Sequence, residues 1–298
     1  MSAILLLALC LGIGLAMARH ERLPPGAPQA LNFWIVNVAL PALILVEIPK
    51  LHFSRELLFP AVAPWFVFLG AVVVFRFVGR RRGWSRGTIG AMILTCGLGN
   101  TAYMGLAMVE ALRGAAYVGP AVIADQFGSF VALSVGGVIV AAIYSGAPPS
   151  MGDIARRMLG FTPFLALVVA LVIWPLGGLP EVLQTVLMRI GQTLTPLALF
   201  SVGLQLKLGG IGAQWKTLLG GLGWKMVIAP ATVFAAAWTL GLHGPVPVAG
   251  ILQCAMPPMV TAGILAEQYK LDPVLANLVI GVGTILSLAS LPLASALL

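Results

Sequence analysis

Charge is the scarcest property of this chain. Only 9% of its 298 residues are Asp, Glu, Lys or Arg, against about 25% in ordinary soluble domains, which excludes a surface wetted on all sides. Cys10, Cys96 and Cys254 each lie inside an apolar run, and His20, His52 and His243 are scattered near segment ends. Neither a disulfide framework nor a metal site follows from such placement. The sequence also lacks HExxH, GxSxG, a P-loop and any close carboxylate pair with a nearby histidine, so nothing points to an enzyme. No cofactor is called for, because Trp84, Trp174 and Trp215 near the ends of apolar runs read as an aromatic interfacial belt.

What the chain has is hydrophobicity, at 60% of residues with a mean hydropathy of +1.03, and 35 glycines. Small residues let helices approach backbone to backbone in lipid. The expected fold class is therefore an all-α integral membrane protein. Taking about 20 apolar residues per crossing, ten spans are expected at about 2–18, 30–48, 58–78, 88–112, 116–143, 159–177, 183–206, 215–240, 245–268 and 274–297. The first carries a small-x-small pattern at Ala16-Met17-Ala18, but no Lys or Arg precedes it, so it reads as a retained span and not a cleaved signal.

The net charge of +8 comes mainly from short interhelical loops, where cations act as topology signals and do not form a nucleic-acid stripe. With the N-terminus outside, the cytoplasmic loops hold Arg19, Arg22, Arg76, Arg80, Arg81, Arg82, Arg86, Arg156, Arg157, Lys207, Lys216 and Lys270, and the external loops only Lys50, Arg55, Arg113 and Arg189. An even number of spans returns the C-terminus to the outside of the cell membrane.

An internal repeat organises these spans. "NVALPALIL" (37–45) aligns with "QTLTPLALF" (192–200), setting Pro41 over Pro196, and "GLGNTAYMGLAMVEAL" (97–112) falls on "CAMPPMVTAGILAEQY" (254–269), setting Glu110 over Glu267. Chance similarity between apolar segments is the alternative, and the nearly equal offsets of 155 and 157 weigh against it. Five spans per half force opposite orientations, the inverted-repeat plan of secondary transporters. The expected division is 1–145 for the first repeat, 146–158 for a short cytoplasmic linker and 159–298 for the second repeat.

Gly97 and Gly99 favour departure from helix, and the equivalent place in the second half has Pro257-Pro258, which lacks two backbone donors. Both fourth spans are expected to be broken. Unwound backbone at membrane depth must be satisfied by protein or by a wet cavity, so the breaks should meet. Half-helix N-termini there suit a carboxylate. Asn100, Thr101, Tyr103, Pro257, Pro258 and Thr261 are accordingly the candidate substrate-binding residues, with Gly97, Gly99, Pro41 and Pro196 as hinges. Such kinks also occur in membrane helices without a ligand; their repetition at matched positions is what favours a site.

The motif "GLGNTAYMGLAM", the Pro41 motif and "AMPPMVTAGILAEQYKLDPVLANLVIGVGTILSLASLPL" (255–293) together resemble the auxin efflux carrier family, which includes plant PIN carriers and bacterial malonate or organic-acid permeases. The resemblance covers essentially the whole chain. It implies ten helices in two inverted repeats, a scaffold and a transport domain, crossed broken fourth and ninth helices, and elevator-like movement of small carboxylates. Two departures are visible: the long central loop of the plant branch is absent, and Asn100-Thr101 stands where the second half has Pro257-Pro258.

Ionisable residues inside spans are costly and therefore informative. Lys225, in "GLGWKMVIAP", either snorkels or balances charge at the breaks, where it would repel sodium. Asp125-Gln126 supplies a candidate proton carrier or a partner for Lys225, since a buried carboxylate can exchange a proton during transport; a plain interhelical hydrogen bond is the other reading. Glu110 and Glu267 read as interfacial, with a site role as the other reading, Glu47 as solvated at an external helix end, and Asn37 as a cap on a carbonyl near Pro41 or else as part of the cavity lining.

The expected function is a secondary active carrier of a small organic anion, a mono- or dicarboxylate. The alternatives are a sodium-coupled symporter of the related bile-acid transporter fold and a non-transporting membrane sensor or subunit. Expected partners are the anion, protons as the candidate coupling ion, the lipid bilayer and, as a candidate, a second copy of the chain in a homodimer. No nucleic acid and no metal are expected.

Overall fold

The protein is described by a computed structural model covering residues 2–19, 24, 26–51, 54–146, 151–205 and 214–298. His20, Arg22, His52 and Lys207 lie outside the described residues. All regular structure among those residues is helical, joined by one isolated antiparallel bridge between Gly99 and Pro258. The helices are α1 (Ser2–Arg19), α2 (Ala27–Glu47), α3 (Arg55–Arg81) and α4 (Arg86–Gly97). They continue as α5 (Thr101–Gly105 running into Leu106–Arg113), α6 (Ala115–Ser145), α7 (Met151–Leu159), α8 (Thr162–Leu176) and α9 (Glu181–Leu204). The last four are α10 (Trp215–Thr239), α11 (Pro245–Ala255), α12 (Val260–Gln268) and α13 (Pro273–Leu297).

Six of these, α2, α3, α6, α9, α10 and α13, are long and apolar enough to cross a membrane. The remaining expected spans hold shorter helices, and two are interrupted, at 98–100 and at 256–259. Lipid exposure explains the outer surface. Along α3, Val62, Phe66, Leu69, Val73 and Phe77 are exposed at helical spacing while Ala63, Val67, Ala71 and Phe75 are buried. Such an apolar stripe would be an aggregation liability in water and is solvated by acyl chains in a bilayer.

The interior divides into two apolar clusters. One joins α3, α4, the C-terminal half of α6, α10, α12 and the first turns of α13, with Phe68, Met92, Leu133, Leu265 and Val279 among its members. The other joins α1, α2, α8 and α9 to α5 and the start of α6, through residues such as Ile44, Met108, Val122, Leu167 and Leu199. In the second cluster α1 packs along α9, and α8 along α2. The α1–α9 approach is backbone to backbone: a Cβ on Gly14 would lie 2.4 Å from the Phe200 carbonyl oxygen, and one on Gly203 2.5 Å from that of Leu11. Glycine is required at both positions, the small-residue packing that lipid favours.

Polar residues fasten the helix ends. Ser85 caps α4, accepting from the Thr88 amide at 3.0 Å, and Asp272 caps α13, accepting from the Leu275 amide at 3.3 Å. The Thr88 hydroxyl donates to Asp272 at 2.8 Å, tying the starts of the two helices together. Glu47 is ion-paired with Lys50 at 2.9 Å, and Glu110, half-buried, accepts from the Thr195 hydroxyl, whereas Glu267 is exposed.

Candidate binding site at the paired helix breaks

Both interruptions occur where the sequence weakens helix, and they pair with each other. The Asn100 amide donates to the Pro257 carbonyl at 2.8 Å and the Met259 amide to the Leu98 carbonyl at 3.0 Å. In this antiparallel register the bonds flank the Gly99–Pro258 pair, which needs no donor from either member. Pro258 therefore costs the pairing nothing, and Pro257 takes part only through its carbonyl.

The glycines of "GLGNTAYMG" are closely approached by their neighbours. A Cβ on Gly97 would lie 3.0 Å from the Phe68 ring, one on Gly99 3.1 Å from Lys225 Nζ, and one on Gly105 2.1 Å from Gln253 Oε1. Across the other break, a Cβ on Gly283 of α13 would lie 2.6 Å from Pro258 Cδ. Close approach thus adds to backbone freedom as a reason for glycine here, and at Gly105 any side chain must displace the Gln253 amide.

Several of the intramembrane polar residues lie in wide, π-type turns. Asn37 lies in Ile35–Ala39 of α2, Thr101 and Tyr103 in Thr101–Gly105 of α5, Asp125 and Gln126 in Ala124–Phe130 of α6, and Lys225 in Trp224–Ile228 of α10. Such turns loosen the regular ladder and re-aim side chains, and they recur at functional sites. The Asn37 side chain donates to the Phe33 carbonyl at 3.0 Å and accepts from the Thr162 hydroxyl at 2.7 Å, so it caps a carbonyl and ties α2 to α8. Pro41 follows that wide turn and is buried; Pro196 follows the turn at Gln192–Thr193 that interrupts α9.

Asp125 is 2% exposed. One of its oxygens accepts from the Thr101 hydroxyl at 2.5 Å and the other from the Gln126 amide at 2.6 Å. Lys225, 1% exposed, donates to the Cys254 carbonyl at 3.2 Å. That carbonyl belongs to the last turn of α11, where a cation offsets the negative end of the helix dipole. The two charges are therefore not partners: Asp125 is held against α5 and Lys225 against α11.

Asn100, Tyr103, Asp125 and Thr261 line one cavity of about 270 Å³, together with Ser134, Met259, Phe130, Phe161 and Arg156. A smaller space of about 80 Å³, bordered by Asn32, Ser201 and Val260, shares Asn100, Tyr103 and Thr261 with it. Thr101 and Gln126 support the wall through Asp125, the two prolines lie in the buried pairing, and Lys225 sits behind Gly99. A further space, about 470 Å³ between α3 and α10, is lined by Phe59, Val62, Phe66 and Val233 and belongs to the lipid-facing surface. Among the described residues no group of three or more His, Cys, Asp or Glu could hold a metal ion.

Two contributors escaped the sequence reading. Gln253, fully buried in α11, donates through its amide to the Ala121 carbonyl at 3.1 Å and the Thr101 carbonyl at 3.3 Å, joining three helices. A lone amide within "GILQCA" was the available signal. Arg156 has the composition of a loop cation and lines the cavity only because α7 folds against its mouth.

Comparison with known proteins finds similarity along most of the chain. The family model described as a membrane transport protein matches residues 1–147 and 159–295. An uncharacterized transporter of Methanothermobacter thermautotrophicus is 27% identical over 276 residues, spanning 91% of this chain and 89% of that protein. A second uncharacterized transporter, from Methanocaldococcus jannaschii, is 22% identical over 82% of this chain and 81% of its own length. A probable auxin efflux carrier component of Oryza sativa subsp. japonica is 31% identical over 117 residues, 38% of this chain and 30% of the rice protein.

Proposed function

We propose, from the premise that this chain belongs to the membrane transport protein family that includes the auxin efflux carriers, that it is a secondary active carrier of a small organic anion. Membership makes it a multi-pass membrane transporter and not an enzyme. The observation that carries the finer reading is the cavity of about 270 Å³ at the paired breaks, lined by Asn100 and Thr261 at the starts of α5 and α12. Two helices that begin beside one cavity, with Asn100, Tyr103 and Thr261 among its lining residues, favour a carboxylate, because helix N-termini carry partial positive charge.

In this reading the chain makes ten crossings in two inverted repeats, 1–145 and 159–298, joined by a linker over 146–158, and the interrupted spans α4–α5 and α11–α12 cross. Reciprocal packing of α1 on α9 and of α8 on α2 supports it, since each pair joins the first span of one half to the second span of the other. The cluster around α1, α2, α8 and α9 is the scaffold, and the cluster around α3, α4, α10 and α13 moves the cavity across the bilayer in an elevator-like step. Both termini face outward across the cell membrane, so a cysteine placed after Leu298 is expected to react with an impermeant maleimide in intact cells. Protection of that thiol would mean an odd number of crossings.

Asn100, Thr261 and Tyr103 hold the anion, Asp125 exchanges a proton, and Lys225 supplies the fixed cation at the break. Binding is tested by thermal shift of the purified protein with acetate, malonate, succinate and phenylacetate, and with their neutral amides as controls. Stabilisation by at least one carboxylate and by no amide is the expected result; no response to any of the anions contradicts the reading.

A further inference from the structure

The carboxylate needs a countercharge, and the candidate residues at the breaks provide none inside the cavity: Lys225 lies behind Gly99, against the Cys254 carbonyl, and is not among the residues that line it. Among the residues lining the cavity, Arg156 carries the cation. We infer that Arg156, on the helix that links the two halves, contacts the carboxylate of the transported anion and sets the affinity for it. This inference rests on the organic-anion reading above.

Arg156 is exposed at the cavity, and the backbone that carries it is fixed by its neighbours. Ile154, on the same short helix α7, is 6% exposed and anchors it to the protein. The helix closes at Gly160, whose amide donates to the Arg156 carbonyl at 2.9 Å. Phe161 then stacks on Phe130 of α6, with centroids 4.1 Å apart and planes 17° from parallel. That stack pins the junction of α7 and α8 to the helix that carries Asp125, and Gly160, Phe161 and Phe130 line the cavity beside Arg156. A guanidinium presents two parallel N–H groups to two carboxylate oxygens, which neither a hydroxyl nor an amide can match in charge or geometry. The linker between the halves is thus part of the anion site as well as a connection.

The test is flux of radiolabelled acetate, malonate and succinate in proteoliposomes containing the full chain, wild type, Arg156→Gln or Arg156→Lys. For the best transported anion, Arg156→Gln is expected to raise KM by about tenfold or more and to leave the maximal rate within about twofold, with Arg156→Lys intermediate. Added salt should weaken wild-type affinity more than that of Arg156→Gln. A KM for Arg156→Gln within twofold of wild type, in protein that is monodisperse and still transports, overturns the inference and leaves the organic-anion reading standing. Failure of the wild type to move any of these anions overturns both.

Discussion

The two interruptions pair with each other and solve the same problem with opposite chemistry. At 98–100 the chain uses glycine and asparagine, and at 256–259 it uses two prolines. The first break supplies an amide donor, a polar side chain on the cavity and two glycines that admit Lys225 and Gln253. The second supplies a carbonyl, an amide from Met259 and a rigid surface packed on Gly283. Under the function proposed above, the breaks themselves divide the roles: Pro257-Pro258 set the backbone geometry, and Asn100 presents a side chain to the cavity, where Thr261 joins it from the first turn of α12.

The sharpest way to break this comparison is to fill the space that the first interruption keeps open. Gly105→Leu places a side chain where Gln253 Oε1 lies, and Gln253 must then surrender its bonds to Thr101 and Ala121. Overpacking and two lost buried partners together cost about 3 kcal/mol or more. The variant is expected to lose its cooperative thermal transition or to aggregate in size-exclusion chromatography; wild-type melting would show that the contact is slack.

A smaller effect separates ligand from backbone. Asn100→Leu keeps the amide that bonds Pro257 and removes the side chain from the cavity, so folding should survive while carboxylate affinity falls by about a hundredfold, as for a lost hydrogen bond to a charged group with partial desolvation. Monodisperse protein with unchanged affinity would reduce the first break to a kink. Asp125→Asn keeps the size of the side chain that bonds Thr101 and Gln126 but cannot carry a proton. Its flux is expected to drop about tenfold and to lose its response to a pH step; a pH response equal to wild type removes Asp125 from coupling. The smallest change belongs to the second break. Pro257→Ala retains the carbonyl that accepts from Asn100, so anion affinity should shift by only about threefold, and a loss as large as that of Asn100→Leu would erase the division of roles.

Much of this architecture was readable beforehand, for reasons that differ by residue. The apolar runs announced helices in a bilayer, and Gly97, Gly99, Pro257 and Pro258 announced the breaks because their backbone chemistry acts locally. The site was readable in part: Asn100, Tyr103, Asp125 and Thr261 meet at one cavity. The wide turns under Asn37, Thr101, Asp125 and Lys225 were not readable, since one extra residue in an apolar helix barely disturbs its periodicity. An attraction between Asp125 and Lys225 was a natural expectation from two charges in apolar spans, yet each is held by closer neutral partners. Gln253 and Arg156 owe their roles to the approach of distant segments, which composition does not encode.

The central claim is that the paired breaks conduct an organic anion with a fixed cation, Lys225, doing at the break what sodium would do in a sodium-coupled carrier. The direct test is carboxylate flux into proteoliposomes of the wild-type protein, with sodium, potassium and choline exchanged at constant ionic strength, each with and without a pH step. Flux that follows the pH gradient or the membrane voltage and is the same in all three cations is the predicted result; flux that appears only with sodium contradicts it.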